Sequence, residues 1–257
     1  MISGKLLALT GLCVLAHMFP AAVAILPVFA EVELPYSSPN VNVQLLAQQT
    51  TVRIQTPHAS GSGVIVGRQG QMYTVLTSWH VVAFSDKHTV IAPDGRQYVP
   101  VRPPRQLGKM DMAVVQFSSG AVYEVARTAT ELARVGEPVF AAGFPMYEKG
   151  TLKTTFDQGI RAFRFTQGAI SVLPAKSLPQ GYRLGYTNDI EVGMSGGPIF
   201  NSKGLLIGIN GRVKNRDPDF GVYTFEDGTE PPPALLEKMV NSSWGIPITL
   251  YLQLQRA

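Results

Sequence analysis

From about Val41 the chain is a succession of short apolar runs rich in valine, isoleucine, tyrosine and phenylalanine, broken repeatedly by glycine, proline, asparagine and aspartate. Runs of that length and composition are strands, and the breakers between them are turns. VRIQT, SGVIVG, YTVLTS, TVIA, QYVPV and DMAVVQF form a first set that ends near Phe117. PVFAAGF, FRFTQGAISVL, YRLGYT, PIFN, LLIGIN and FGVYTF form a second. PDGR, Pro93 to Arg96, carries an Asp-Gly hairpin signal inside the first set. No alternation of strand with helix supports a parallel sheet, so the pattern predicts an all-β fold of two antiparallel barrels or a sandwich. The connection from Ser118 to Gly136 reads as helical or irregular, and PALLEKMVN after the Pro231–Pro233 cluster reads as a helix. IPITLYLQLQ fits either a strand or a helix.

The first 30 residues carry one charge, Lys5, followed by a long apolar run that ends in Val28, Phe29 and Ala30. That is the make-up of a secretory signal with a small-residue cleavage site, and an uncleaved membrane anchor is the alternative. Residues 31–42, with prolines and serines, read as a flexible lead-in, and 43–257 as one domain. The single cysteine, Cys13, lies inside the signal, so no disulfide would hold an exported mature chain. A net charge of +4 falls by one without Lys5, and the cations are dispersed. Such a distribution speaks against nucleic-acid binding, which calls for a clustered basic patch.

DIEVGMSGGPIFN, Asp189 to Asn201, sets Ser195 among three glycines. Glycines permit close backbone approach and dihedrals that a side chain forbids, which suits a serine nucleophile flanked by backbone donors. A polar turn between strands is the plainer explanation of an isolated match. A serine nucleophile needs a base, ordinarily a histidine held by a carboxylate. His17 lies in the signal, and His58 and His88 sit in polar stretches that suggest exposure, whereas His80 stands where the apolar strand YTVLTS gives out. Asp111 opens the apolar run DMAVVQF, where an unpaired buried charge would be costly, and His80 is its natural partner. Each residue alone also has a structural explanation: packing for His80, strand capping for Asp111. Order discriminates further. No histidine follows Ser195 and a strand follows it, which excludes the α/β-hydrolase elbow and leaves the order His, Asp, Ser.

GSGVIV, TSWHVV, MDMAVVQF and VGMSGGPIFNSKGLLIGING together resemble the trypsin-like serine proteases, most of all the cysteine-free bacterial branch that includes the HtrA-type proteases. The match runs from roughly Thr51 to Thr224. It implies two six-stranded β-barrels, about 43–118 and 137–230, with the site in the cleft between them. It also implies His80 as general base, Asp111 as its orienting carboxylate, Ser195 as nucleophile, and the N–H groups of Gly193 and Ser195 as the oxyanion hole. Protein or peptide substrates and no cofactor follow from the same resemblance, the signal implies an exported location, and without an H-E-x-x-H motif or a cysteine and histidine cluster no metal is expected. Met194 stands where trypsin has an aspartate that pairs with a new N-terminus, so activation of that kind is not expected. Trp79 is bulkier than the family's usual residue, and the stretch after Phe225 is short for a further PDZ domain. The likeness to trypsin would also put Asp189 at the base of the S1 pocket, with Gly211 and Gly221 keeping that pocket open and arginine or lysine favoured at P1. A non-enzymatic binding module or holdase on the same fold is the competing function.

Overall fold

The computed structural model describes residues Asn42 to Arg256. The expected signal and all but the last residue of the expected lead-in lie outside the described residues. Where strands were expected to begin there is first a helix, α1 (Val43–Thr50). The Asn42 side chain caps it by accepting from the Leu45 N–H at 3.0 Å, and Val43, Ala47 and Thr50 form its buried face. Leucine, alanine and glutamine in VQLLAQQT favour the helix, which explains the departure from the expected strand.

The first half of the domain contains β1 (Thr51–Gln55), β2 (Ser60–Gln69), β3 (Met72–Thr77), the short α2 (Trp79–Val82), β4 (Thr89–Ile91), β5 (Gln97–Tyr98), β6 (Arg105–Gln106) and β7 (Ala113–Ser118). They form one seven-stranded antiparallel sheet in the order β5-β4-β1-β2-β3-β7-β6. The expectation of six strands missed β6, a two-residue edge strand with no apolar alternation to betray it. Its core is the buried set Val52, Ile54, Ile65, Val75, Val115 and Phe117, with Tyr73 stacked on Phe117 at 5.1 Å. Trp79 packs against the edge of this core. The hairpin at Pro93–Arg96 forms as expected, with Gly95 at φ 86° and Ala92 N–H bonded to the Arg96 carbonyl.

An irregular connection then leads to the second half: β8 (Pro138–Gly143), β9 (Arg164–Val172), β10 (Leu184–Tyr186), β11 (Pro198–Asn201), β12 (Leu206–Arg212) and, after α3 (Pro233–Val240), β13 (Ser243–Pro247). These six close into a barrel in the order β10-β13-β12-β11-β8-β9. The all-β class therefore holds, with a closed six-stranded barrel beside a wider open sheet. FGVYTF is not the sixth strand. Tyr223 and Phe225 are buried, but Gly221 takes φ 63° and Thr224 N–H turns back onto its carbonyl, so the segment coils. SWGIP takes its place as β13 and carries the barrel past the expected limit of 230 to Pro247. Its glycine and proline read as breakers; a Cβ on Gly245 would stand 2.5 Å from Ile199 Cδ1, so the glycine permits barrel closure. IPITLYLQLQ divides, the end of β13 passing into α4 (Ile248–Arg256). Among the described residues no helix is long and apolar enough to cross a membrane.

Another core draws Val64, Leu76 and Met112 from the first half together with Ala142, Phe200 and Ile209 from the second. Arg53, fully buried on β1, adds a polar tie between the halves. Its guanidinium donates to Ser60 Oγ (2.9 Å), the Thr155 carbonyl (2.7 Å), Thr155 Oγ1 (2.8 Å) and the Gly159 carbonyl (3.1 Å). Arg53→Met keeps much of the packing and orphans those acceptors, so it should lower the unfolding free energy by roughly 3 kcal/mol. Urea denaturation with an unchanged m-value measures this, and a loss below about 0.5 kcal/mol would show that the 155–159 loop does not depend on the arginine.

Candidate active site

β3 ends at Thr77 and α2 begins at Trp79, which places His80 at the mouth of the cleft with its side chain 45% exposed. Asp111, two residues before β7, lies beneath it and is almost fully buried. Asp111 Oδ1 accepts the His80 backbone N–H at 2.8 Å, and Oδ2 faces His80 Nδ1 at 2.6 Å. With the carboxylate ionised, Nδ1 carries the ring proton and Nε2 keeps its lone pair toward the cleft. The structure thus brings together the two residues that order and burial paired in the sequence.

A second residue that donates to this carboxylate had no signal in the sequence. Tyr182, buried in the second half, donates its hydroxyl to Asp111 Oδ2, and the Asp111 N–H donates to the Gln180 carbonyl. Burial alone would raise the Asp111 carboxyl, but the hydrogen bond and charge of His80, with the Tyr182 hydroxyl, outweigh it and hold the group below its ordinary value. Burial, then the adjacent carboxylate, push the Tyr182 phenol well above its usual range, so it remains a donor. Tyr182 also accounts for Gly211. A Cβ there would meet the tyrosine ring at 2.2 Å, so this glycine makes room for the ring.

Ser195 lies in the turn between β10 and β11. Its Oγ donates to the Gly211 carbonyl at 3.1 Å, with no hydrogen bond to His80. The turn is fixed by its glycines. Gly193 has φ 98°, and the Met194 N–H closes onto the Glu191 carbonyl at 2.9 Å, the pattern of a type II turn, which demands glycine at its third position. The Val192 carbonyl accepts the Met146 N–H at 2.7 Å. Because a trans peptide points its N–H opposite to its carbonyl, that bond aims the Gly193 N–H away from Met146. Neither the Gly193 nor the Ser195 N–H has an acceptor among the described residues. Gly196, at φ 84°, and Gly197 lie so close to backbone that a Cβ would stand 2.3 Å from the Ser62 carbonyl and 2.1 Å from the Ala142 carbonyl. Met194 is buried, its sulfur accepting the Glu191 N–H, and Glu191 pairs instead with Arg164 at 2.8 Å.

A cavity of about 450 Å³ opens beside His80 and Asp111. Gly211 and Gly221 line it, as does Arg212. Asp189 does not, which corrects the expected pocket floor: its side chain is 71% exposed and pairs with Lys214 at 3.3 Å. A carboxylate already solvated and paired there cannot serve as a buried S1 charge. His58 is exposed as expected, whereas His88 is buried with Nε2 on the Val82 carbonyl at 3.0 Å.

Known proteins resemble this chain over much of its length. The family described as a trypsin-like peptidase domain matches residues 61–209. A probable periplasmic serine endoprotease DegP-like of Hahella chejuensis is 30% identical over 177 residues, 66% of this chain and 33% of its own. The serine protease Do-like HtrA of Bacillus subtilis is 30% identical over 169 residues, 65% of this chain and 36% of its own. The chain therefore spans about a third of the length of the curated relatives it matches. The crystal structure of a serine endoprotease from Yersinia pestis aligns with a TM-score of 0.57 at 21% identity, over 83% of this chain and 65% of that one, a likeness of fold.

Tyr182→Phe keeps the ring against Gly211 and removes one donor from a buried carboxylate. It should cost about 1–3 kcal/mol of stability at neutral pH. A depressed carboxyl contributes stability that is present above its unfolded value and lost as pH falls through the lower folded value. The difference between wild type and variant should therefore shrink on acidification below the ordinary 3.8 of the aspartate. Urea unfolding across that window tests it; a penalty that does not change with pH would mean the hydroxyl acts on something other than the charged form of Asp111.

Proposed function

The chain belongs to the trypsin-like peptidase domain family, and from that premise we propose that it is a serine endopeptidase working through an acyl-enzyme. The observation that carries the proposal is the coincidence in one cleft of His80 held by Asp111 and Ser195 in a turn with two unengaged N–H groups. In this reading Ser195 Oγ leaves the Gly211 carbonyl by rotation about its side-chain bond and turns to His80 Nε2. His80 takes the hydroxyl proton as Oγ attacks the peptide carbonyl, then returns it to the leaving amine. The Gly193 and Ser195 N–H groups receive the negative charge that develops on the carbonyl oxygen, a contribution worth about a hundredfold to a thousandfold per donor. Water, deprotonated by the same histidine, then releases the acyl group.

Because Met194 lies buried without an ionic partner and Glu191 is engaged by Arg164, no new N-terminus is required to set the turn. Protein substrates and an exported location are part of the proposal, supported by relatives named as periplasmic endoproteases. The same fold used as a binding module or holdase is favoured by one observation, the Ser195 hydroxyl resting on Gly211 and not on His80. Free enzymes often carry catalytic hydrogen bonds that form only with substrate, which leaves the peptidase reading ahead.

Reaction with a fluorophosphonate decides between the two. Wild type should be labelled at Ser195, and Ser195→Ala and His80→Ala should each lose labelling and casein hydrolysis without additive effects. Asp111→Asn should lower turnover by a factor on the order of ten thousand, through the wrong imidazole tautomer. A folded wild type that never labels, or a Ser195→Ala protein that still cleaves casein, would end the proposal.

A further inference from the structure

The charged side chains of the cavity are Asp111, Arg212 and Arg216, with His80 beside them. Asp111 is fully committed: only 3% exposed, it accepts from the His80 N–H and Nδ1 and from the Tyr182 hydroxyl. It has nothing left for an incoming cation. The two arginines are in the opposite condition. Arg212, half-buried at the end of β12, lies with its guanidinium carbon 4.1 Å from the centre of the Tyr182 ring. Its nitrogens donate only to neutral oxygens and over long distances: the Val222 carbonyl at 3.2 Å, Gln180 Oε1 at 3.3 Å and the Pro179 carbonyl at 3.5 Å. Among the described residues neither Arg212 nor Arg216 pairs with a carboxylate, although Lys153, Arg164, Lys176 and Lys214 all do. Burial, with repulsion from Arg216, lowers the pKa of Arg212 from its ordinary value, against opposing pulls from Tyr182 and Asp111.

We infer that this cavity is a carboxylate-binding subsite, so that the protein selects peptides with aspartate or glutamate close to the scissile bond. The inference rests on the peptidase reading above and names its substrate class. A planar guanidinium with unused donors matches a carboxylate in charge and in the spacing of its oxygens. Position ties the subsite to the chemistry, because Gly211, whose carbonyl holds the Ser195 hydroxyl, precedes Arg212 in the chain and lines the same cavity. Phe220, 81% exposed, stands on the wall beside the cations and offers an apolar surface suited to a peptide chain more than to a bare inorganic anion. The basic preference expected from Asp189 has no counterpart here, since that carboxylate is outside the cavity and bound to Lys214.

The test uses peptide pairs that differ only by Glu against Gln at one of the four positions on either side of a bond that wild type cuts in casein. At one position Glu should raise kcat/KM by roughly tenfold or more, the equivalent of one charge-assisted hydrogen bond, and added salt should shrink that ratio. Arg216→Gln, at an exposed position, should reduce the ratio several-fold; Arg212→Gln should bring it near one, and Arg212→Lys should restore part of it. A ratio near one at every position in wild type, a preference for Lys or Arg, or a Glu preference that survives both glutamine variants would overturn the subsite. Fluorophosphonate labelling run in parallel separates this from the peptidase reading. Should wild type neither label nor cut, binding of casein-derived peptide pairs that differ by Glu against Gln at one position is read instead by fluorescence anisotropy. Glu-selective binding lost in Arg212→Gln would then support the subsite while the peptidase reading fails, and equal binding of each pair would overturn both.

Discussion

A buried guanidinium organises the cleft. Burial lowers the pKa of Arg53 to about 10, against an opposing pull from Asp157, so it still carries its charge at neutral pH inside the protein. Among the described residues it forms no ion pair, and every hydrogen bond it donates goes to a neutral oxygen, two of them on Thr155. A charge taken out of water tolerates no missing partner, so the loop that carries Thr155 must come to it. Thr155 in turn donates its hydroxyl to the Pro145 carbonyl and its N–H to the Met146 carbonyl, and Met146 N–H holds the Val192 carbonyl. The last bond sets the peptide plane of Gly193. A side chain on the first sheet thereby reaches, through three short steps, the backbone donor beside Ser195.

The serine turn hangs from the first half at a second point. Ser62 on β2 donates its N–H to the Ser195 carbonyl at 2.9 Å and its hydroxyl to the Gly193 carbonyl at 2.8 Å, while that hydroxyl accepts the Phe144 N–H at 2.8 Å. Ser78, at the start of α2, donates to the Asn210 carbonyl, and Asn210 accepts the Gly196 N–H. Every glycine around Ser195 is therefore explained by a backbone it touches. Ser195 belongs to the second half by sequence and its turn to both halves by hydrogen bonding, so the candidate site exists only when the two are packed together.

Eleven of the runs in the sequence became strands because alternation and β-branched composition are local properties, read over a few residues. The failures share a different origin. SWGIP became a strand because barrel closure needed a residue without a side chain opposite Ile199, which its composition hides. FGVYTF kept its buried aromatics yet coils, because burial alone does not require pairing. His80 and Asp111 were legible because each borders an apolar run, Ser195 because it stands among glycines, and because the order of the three is distinctive. Tyr182 and Arg212 were not, since a tyrosine in YRLGYT and an arginine after LLIGIN look like ordinary strand residues until the chain folds back. Asp189 misled for the same reason: spacing from Ser195 fixes distance along the chain, and the side chain turned toward Lys214.

Tyr182 shows why recognition and chemistry in this cleft are difficult to alter separately. Its hydroxyl serves Asp111, one face carries the Arg212 guanidinium, and its edge occupies the space that a side chain at residue 211 would need. Enlarging Gly211 would displace the ring, and displacement would take a donor from the carboxylate that orients His80 while removing the surface on which Arg212 rests. Loss of Arg212 would in turn expose the ring face but leave the hydroxyl bonded, since that bond depends on Asp111 and on packing among Leu178, Ile246 and Trp244 in the shared core. The dependence thus runs one way: the cationic wall needs the tyrosine, and the tyrosine needs the glycine. Charge at residue 212 is the one part of this arrangement that could be varied while Asp111 keeps its hydrogen-bond partners.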